Sequence, residues 1–187
     1  MLYLSKGIAE KDSAENLIKV HRGDYVYNIS GLEAKLWLAA RFGFSACNTD
    51  EENSAVLKLV KLGLAEYETE ECQNSGYRIL TRCVCIPTKH KWFSGFLTKP
   101  EKILMRWLNF AGIRLSVAEL VFLDENHIQP EKDLLYAKNR QTLVEKIYTP
   151  SNIFDNVLEA QMEHARNRDC TVETIMSLLS KKKIIML

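Results

Sequence analysis

The sequence predicts an α+β, helix-rich protein in two units, a mixed unit over residues 1–90 and a mostly helical one over 96–187. Three observations carry that prediction. Helix-start signals of the form Ser/Thr-x-x-Glu recur before apolar runs of helical period, at Ser30–Glu33, Thr49–Glu52, Thr98–Glu101 and Ser116–Glu119. Between Leu64 and Ile86 the period shortens from helical to alternating. Around Thr88–Phe96 the pattern gives way to Lys89-His90-Lys91 followed by Trp92, Phe93, Gly95 and Phe96, a plausible boundary whose aromatics pack in the seam.

Met1–Ile8 is apolar enough for a short strand, and Ala9–Asn16 reads as a loop or helical turn. Leu17–His21 and Tyr25–Ile29 are two β-like runs joined by the turn residues Arg22-Gly23-Asp24. Ser30 and Glu33 then form a reciprocal cap, which contributes roughly 1 kcal/mol. Leu32, Leu36, Ala39 and Ala40 follow at helical spacing, with Gly43 as the stop. The next helix starts at Thr49, carries Val56, Leu59, Val60 and Leu62, and stops at Gly63. Leu64–Glu71 reads as a strand, Cys72–Gly76 as a turn and Tyr77–Ile86 as the return strand, closed by Pro87.

Helix, short link, helix and hairpin over Ser30–Pro87 resemble the winged-helix superfamily. The resemblance covers about a third of the chain and is one of pattern. It implies a recognition helix over Asp50–Leu62, a wing over Leu64–Ile86 and binding of duplex DNA. One departure is plain: only Phe44–Asn48 separates the two helices, so the middle helix is missing or reduced to a turn. A hairpin ahead of a winged helix is also similar to the small peptide-binding domains of peptide-modifying systems, which capture a peptide along a strand edge.

In the second unit Thr98–Glu101 and Ser116–Glu119 cap helices carrying Ile103, Leu104, Trp107, Leu108 and then Leu120, Val121, Leu123, with Gly112 between them. Gly112–Ser116 is a tight link resembling that of helix-turn-helix proteins. Each half has a capped helix with a Trp, a Gly stop and a second capped helix, so a degenerate second winged helix is one reading of the C-terminal unit. Gln141–Tyr148 reads as a short helix. A longer one starts at Thr149-Pro150 with Ile153, Phe154, Val157, Leu158 and Met162 on its core face. Val172–Leu179 marks the last helix, followed by Lys181–Lys183, which suit its dipole, and by a closing strand at Ile184–Leu187.

Lys and Arg number 25 and Asp and Glu 24, evenly spread between the halves. A nonspecific nucleic-acid coat is thereby excluded, because its affinity comes from phosphate neutralisation. A site-specific binder with one basic patch is allowed. Its candidate residues are Lys58 and Lys61 on the second helix and Arg78 and Arg82 on the wing, with Arg114 and Lys138–Gln141 as further polar contacts. Asp50, Glu51 and Glu52 at the start of that helix oppose base reading there.

Cys83-x-Cys85 with Cys72 and His90 is a conceivable tetrahedral metal set, yet alternate strand residues share a face and read more simply as core. There is no G-x-S-x-G, phosphate loop, G-x-G-x-x-G or H-E-x-x-H, so the expectation is no enzyme, no cofactor and no metal. Met1–Lys6 lacks a signal-peptide pattern, no run has membrane-spanning length, and the five cysteines are odd in number. A cytoplasmic protein follows. Two functions stand: a winged-helix DNA-binding transcription regulator, or a protein- or peptide-binding adaptor or chaperone-like module without nucleic-acid affinity.

Overall fold

The computed structural model describes residues 1–10, 17–69, 72–88, 97–109, 115–131, 134, 140–150 and 157–187. Eight helices and eight short strands lie among them, an α+β architecture with small antiparallel sheets that is about 49% helical. The strands are β1 (Leu2–Ser5), β2 (Ile8–Ala9), β3 (Leu17–Arg22), β4 (Tyr25–Ser30), β5 (Ser45–Ala46), β6 (Ala65–Glu68), β7 (Cys85–Pro87) and β8 (Ile184–Met186). The helices are α1 (Gly31–Ala39), α2 (Asp50–Lys61), α3 (Ser75–Thr81), α4 (Lys99–Leu108) and α5 (Val117–Glu125), then α6 (Arg140–Ile147), α7 (Val157–Met162) and α8 (Arg168–Ser180).

The strands make three sheets in the orders β5-β1-β6, β2-β3-β4 and β7-β8. Alternation places Ile18 and Val20 of β3 and Ile29 of β4 inward. The hairpin register runs from Leu17 opposite Ser30 to Arg22 opposite Tyr25. Gly7 bends the chain from β1 into β2 at φ +107°, and a Cβ there would lie 2.5 Å from Val20 Cγ1, so only glycine fits.

Helix α1 is held between two sheets. Its Ala34 and Trp37 meet Ile18, Val20, Ile29 and Leu59 on one side. Its Leu36 and Ala40 meet Tyr3, Cys47 and Val56 on the other. Tyr3 Oη donates to the Leu36 carbonyl at 3.0 Å, and Ser5 N to that of Ala40 at 3.0 Å.

The caps follow the sequence unevenly. Thr98 and Ser116 each make the full reciprocal box with Glu101 and Glu119. Thr49 accepts from Glu52 N, while the Glu52 carboxylate reaches one residue further back, to Asn48 N. Ser30 precedes α1 but makes no side-chain cap bond. Glu33 instead pairs with Lys58 of α2 at 3.3 Å. Helix α1 ends at Ala39, before Gly43, whereas Gly63 at φ +69° does terminate α2.

The wing is corrected. The strand at the first arm is shorter, Ala65–Glu68, and its described partner is β1. The expected return strand over Tyr77–Ile86 is instead helix α3 followed by β7. Ser75 Oγ accepts from Cys72 N at 2.9 Å, so the supposed turn residues begin a helix. Tyr77 with Leu80, and Ile79 with Cys83, satisfy helical spacing, while Tyr77, Ile79, Cys83 and Cys85 also satisfy alternation. Strand β7 pairs with β8 near the other end of the chain, Cys85 opposite Met186. Tyr77, Ile79, Leu80, Cys83 and Cys85 share one core with Leu104, Trp107, Val121, Ile175 and Leu178.

The aromatic stretch Lys89–Phe96, the Gly112 stop, Arg114, Lys138 and Asn139, and the Ile153–Phe154 part of the longer helix lie outside the described residues. Among the described residues no helix is long and apolar enough to cross a membrane.

Candidate functional site

Strand β4 is the edge of its sheet: among the described residues it pairs with β3 alone. Its sequence, Tyr25-Val26-Tyr27-Asn28-Ile29-Ser30, contains no charge and no proline. Natural edges are normally blunted by Lys, Pro, a bulge or a covering element. Tyr25 is 70% exposed and Val26 52% exposed.

The two faces of β4 differ. Ile29 is buried and Tyr27 packs against the same core, with Tyr25 at 6.4 Å from the Tyr27 ring at the open end. On the outer face Val26 stands opposite His21, and His21 opposite Ile8, so an apolar residue flanks the imidazole on each side. His21 Nε2 lies 3.0 Å from Glu10 Oε1, and Lys19 Nζ 3.5 Å from Glu10 Oε2. The His21 hydrogen bond pulls the Glu10 carboxyl below its usual value. That cluster occupies β3 and the residue after β2 and leaves the β4 edge uncharged.

The basic residues expected to meet phosphates are placed differently. Arg78 lies on α3, where Nε and Nη2 grip Glu163 Oε1 at 2.9 and 2.7 Å. Asn74 Nδ2 donates to the same oxygen at 3.0 Å, and Arg168 Nη1 to Asn74 Oδ1 at 2.5 Å, which joins α3 to the segment before α8. Arg82, at the end of α3, contacts Glu66 and Glu68 at 3.4 and 3.0 Å and the Tyr67 carbonyl at 2.5 Å. Lys58 pairs with Glu33. Lys61 is exposed and, among the described residues, meets no carboxylate. The structure thus divides the four between α2 and α3, and three of them already have acidic partners.

The cysteines separate by environment. Cys83 and Cys85 are buried, and burial pushes both thiols up to about 12. Cys83 Sγ lies 3.3 Å from the Ile79 carbonyl and Cys85 Sγ 3.5 Å from Met186 Sδ. Cys72 is exposed before α3, and the Ser75 hydroxyl draws its thiol below the usual value. Among the described residues no three His, Cys, Asp or Glu side chains converge as a metal site. His90 is outside them.

No family model, curated protein or solved structure matches this chain. The function therefore rests on the geometry alone.

Proposed function

We propose that this protein is a peptide- or protein-binding module, and that β4 captures an extended segment of a partner as an added strand. The observation that carries the reading is a six-residue edge without charge or proline, with Tyr25 and Val26 exposed. Main-chain hydrogen bonds supply affinity in such pairing, and side-chain contacts on the two faces supply selectivity. A segment with apolar residues at alternate positions suits it. Those on one face would meet Tyr25 and Tyr27, those on the other Val26.

The reading also accounts for the charges. Phosphate binding needs unpaired cations, since its affinity comes from releasing counterions. Arg78, Arg82 and Lys58 have carboxylate partners in place. The order α1, β5, α2, β6 still resembles the helix-strand-helix-strand part of a winged helix. β1 then occupies the central place between β5 and β6 that a returning wing strand would take.

Selection of 12-residue peptides displayed on phage, followed by anisotropy titration of the selected sequences, tests this. We expect Val26→Asp and Tyr25→Ala each to weaken the best binder at least tenfold. Methylating alternate peptide amides is expected to abolish its binding. A fluorescent DNA duplex, titrated at low and at physiological salt, is expected to give no salt-sensitive binding. Selected peptides indifferent to both β4 substitutions would sink the reading. Steeply salt-dependent DNA binding, lost in Lys61→Glu, would replace it with the DNA-binding one.

A further inference from the structure

A cleft of about 330 Å³ lies between α4, α5 and α8, away from β4. That volume falls in the range of small-molecule sites, roughly 300–1,000 Å³. Ile103, Leu104 and Trp107 of α4, Leu120 of α5 and Ile128 after it supply its apolar walls. The polar groups come from Asp124, Cys170, Thr171 and Thr174, with Lys99 and Gln129 also lining it.

The charges are arranged along the cleft. Helices α4 and α8 run antiparallel, because Glu101 near the start of α4 bonds Ser177 and Lys181 late in α8. Asp124 is met instead by Thr171, one and a half turns earlier in α8, roughly 9 Å from Ser177 along the axis. Lys99, in the first turn of α4, therefore belongs to one end of the cleft and Asp124 to the other. Trp107, two turns of α4 beyond Lys99, lies toward the Asp124 end.

Asp124 stands in the last turn of α5, where the outward carbonyls already make the potential negative. Among the described residues its carboxylate accepts from Thr171 Oγ1 at 3.3 Å and meets no cation. Glu125, beside it, accepts from Asn167 N at 2.9 Å. An acidic helix end beside a tryptophan and four aliphatic side chains is complementary to one chemistry: a compact apolar body bearing an ammonium group.

We propose that this cleft binds a small amphipathic amine, with its apolar body against Trp107, Leu104 and Leu120 and its ammonium at Asp124. The site is separate from β4 and does not depend on the peptide reading.

Three probes of one shape and different charge decide it: phenethylamine, 2-phenylethanol and 3-phenylpropionate. Each is titrated into the full-length protein while the indole N–H resonance of Trp107 is followed. The expected result is saturable binding of the amine, at least tenfold weaker binding of the alcohol and weaker binding still of the carboxylate. Asp124→Asn is expected to bring the amine down to the level of the alcohol. Cys170→Trp, at an exposed lining position, is expected to fill the cleft and abolish binding of all three while the melting temperature holds. No saturable binding by the wild type overturns the site. So does equal or stronger binding of the alcohol or the carboxylate, or an amine preference that survives Asp124→Asn.

Discussion

Replacing Trp37 by Ala is expected to cost about 3–5 kcal/mol, the range for emptying a buried tryptophan site. Against a total stability of roughly 5–15 kcal/mol, that leaves the fold marginal. The reason is position. The indole is fully buried where α1, α2 and the β2-β3-β4 sheet meet, against Ile18, Val20, Ile29 and Leu59. Its Nε1 donates to the Lys6 carbonyl at 3.0 Å, tying α1 to the chain between β1 and β2. The Arg41 guanidinium lies 5.3 Å from the ring centre, so one face of the indole also holds a half-buried cation. Trp37→Phe separates the parts. It keeps most of the apolar volume and withdraws the donor from Lys6, which is expected to cost about 1–3 kcal/mol. Urea denaturation of both variants, followed by circular dichroism, gives the two numbers. A loss below about 1 kcal/mol for the alanine variant would show that this junction does not hold the sheet to α1.

The elements legible in the sequence were those whose determinants are local. The β3-β4 hairpin announced itself by alternation around Arg22-Gly23-Asp24, and α4 and α5 by caps that the structure completes. Glu101 and Glu119 keep their caps through one carboxylate oxygen while Lys181 and Ser177, or Tyr148, bond the other, whereas Glu33 is drawn from Ser30 toward Lys58 of another helix. Over α3 Tyr77 and Ile79 fit an alternating period as well as a helical one, and in so short a stretch only the burial of Leu80 favours the helix. What decided the matter was contact with α8, which no short window contains. The β7-β8 pair is the same case, joining Cys85 to a residue 101 positions away.

The candidate site was legible to a similar depth. The hairpin raised strand-edge capture as a possibility, but that β4 is the edge depends on β2 joining the far side of β3. The basic residues were chosen by charge, and their acidic partners come from other elements. Glu163 lies 85 positions from Arg78. The cleft at Asp124 is assembled from three helices, and its one sequence signal was the spacing of Ile103, Leu104 and Trp107, which reads simply as core.

Glu101 is where acid is expected to loosen the C-terminal helices. Its side chain is almost wholly buried between α4 and α8. Burial by itself would raise its carboxyl. Hydrogen bonds from Lys181 Nζ at 2.5 Å, Ser177 Oγ at 2.6 Å and Thr98 N at 2.8 Å, together with the lysine charge, outweigh burial and hold it down at about 2 against an ordinary 4.5. The folded value lies below the unfolded one, so between them the unfolded chain binds the extra proton. The stabilisation is therefore complete above about pH 4.5 and is lost as the pH falls toward 2. At 1.36 kcal/mol per pKa unit it amounts to about 3 kcal/mol. Glu101→Gln keeps one acceptor oxygen, for Thr98 N, turns an amide N–H toward Ser177 Oγ, which can accept it, and removes the charge facing Lys181. We expect it to cost about 2 kcal/mol at pH 7 and to flatten the acid limb of the stability curve. Glu163, also held below its usual value, keeps some slope in both proteins. The measurement is therefore the difference between wild type and variant in urea midpoints from pH 7 to pH 2.5. A difference that stays constant across that range would mean that Glu101 gives up its proton no more readily in the folded chain than in the unfolded one. The negative charge of Glu101 facing Lys181 would then add nothing to the docking of α4 on α8.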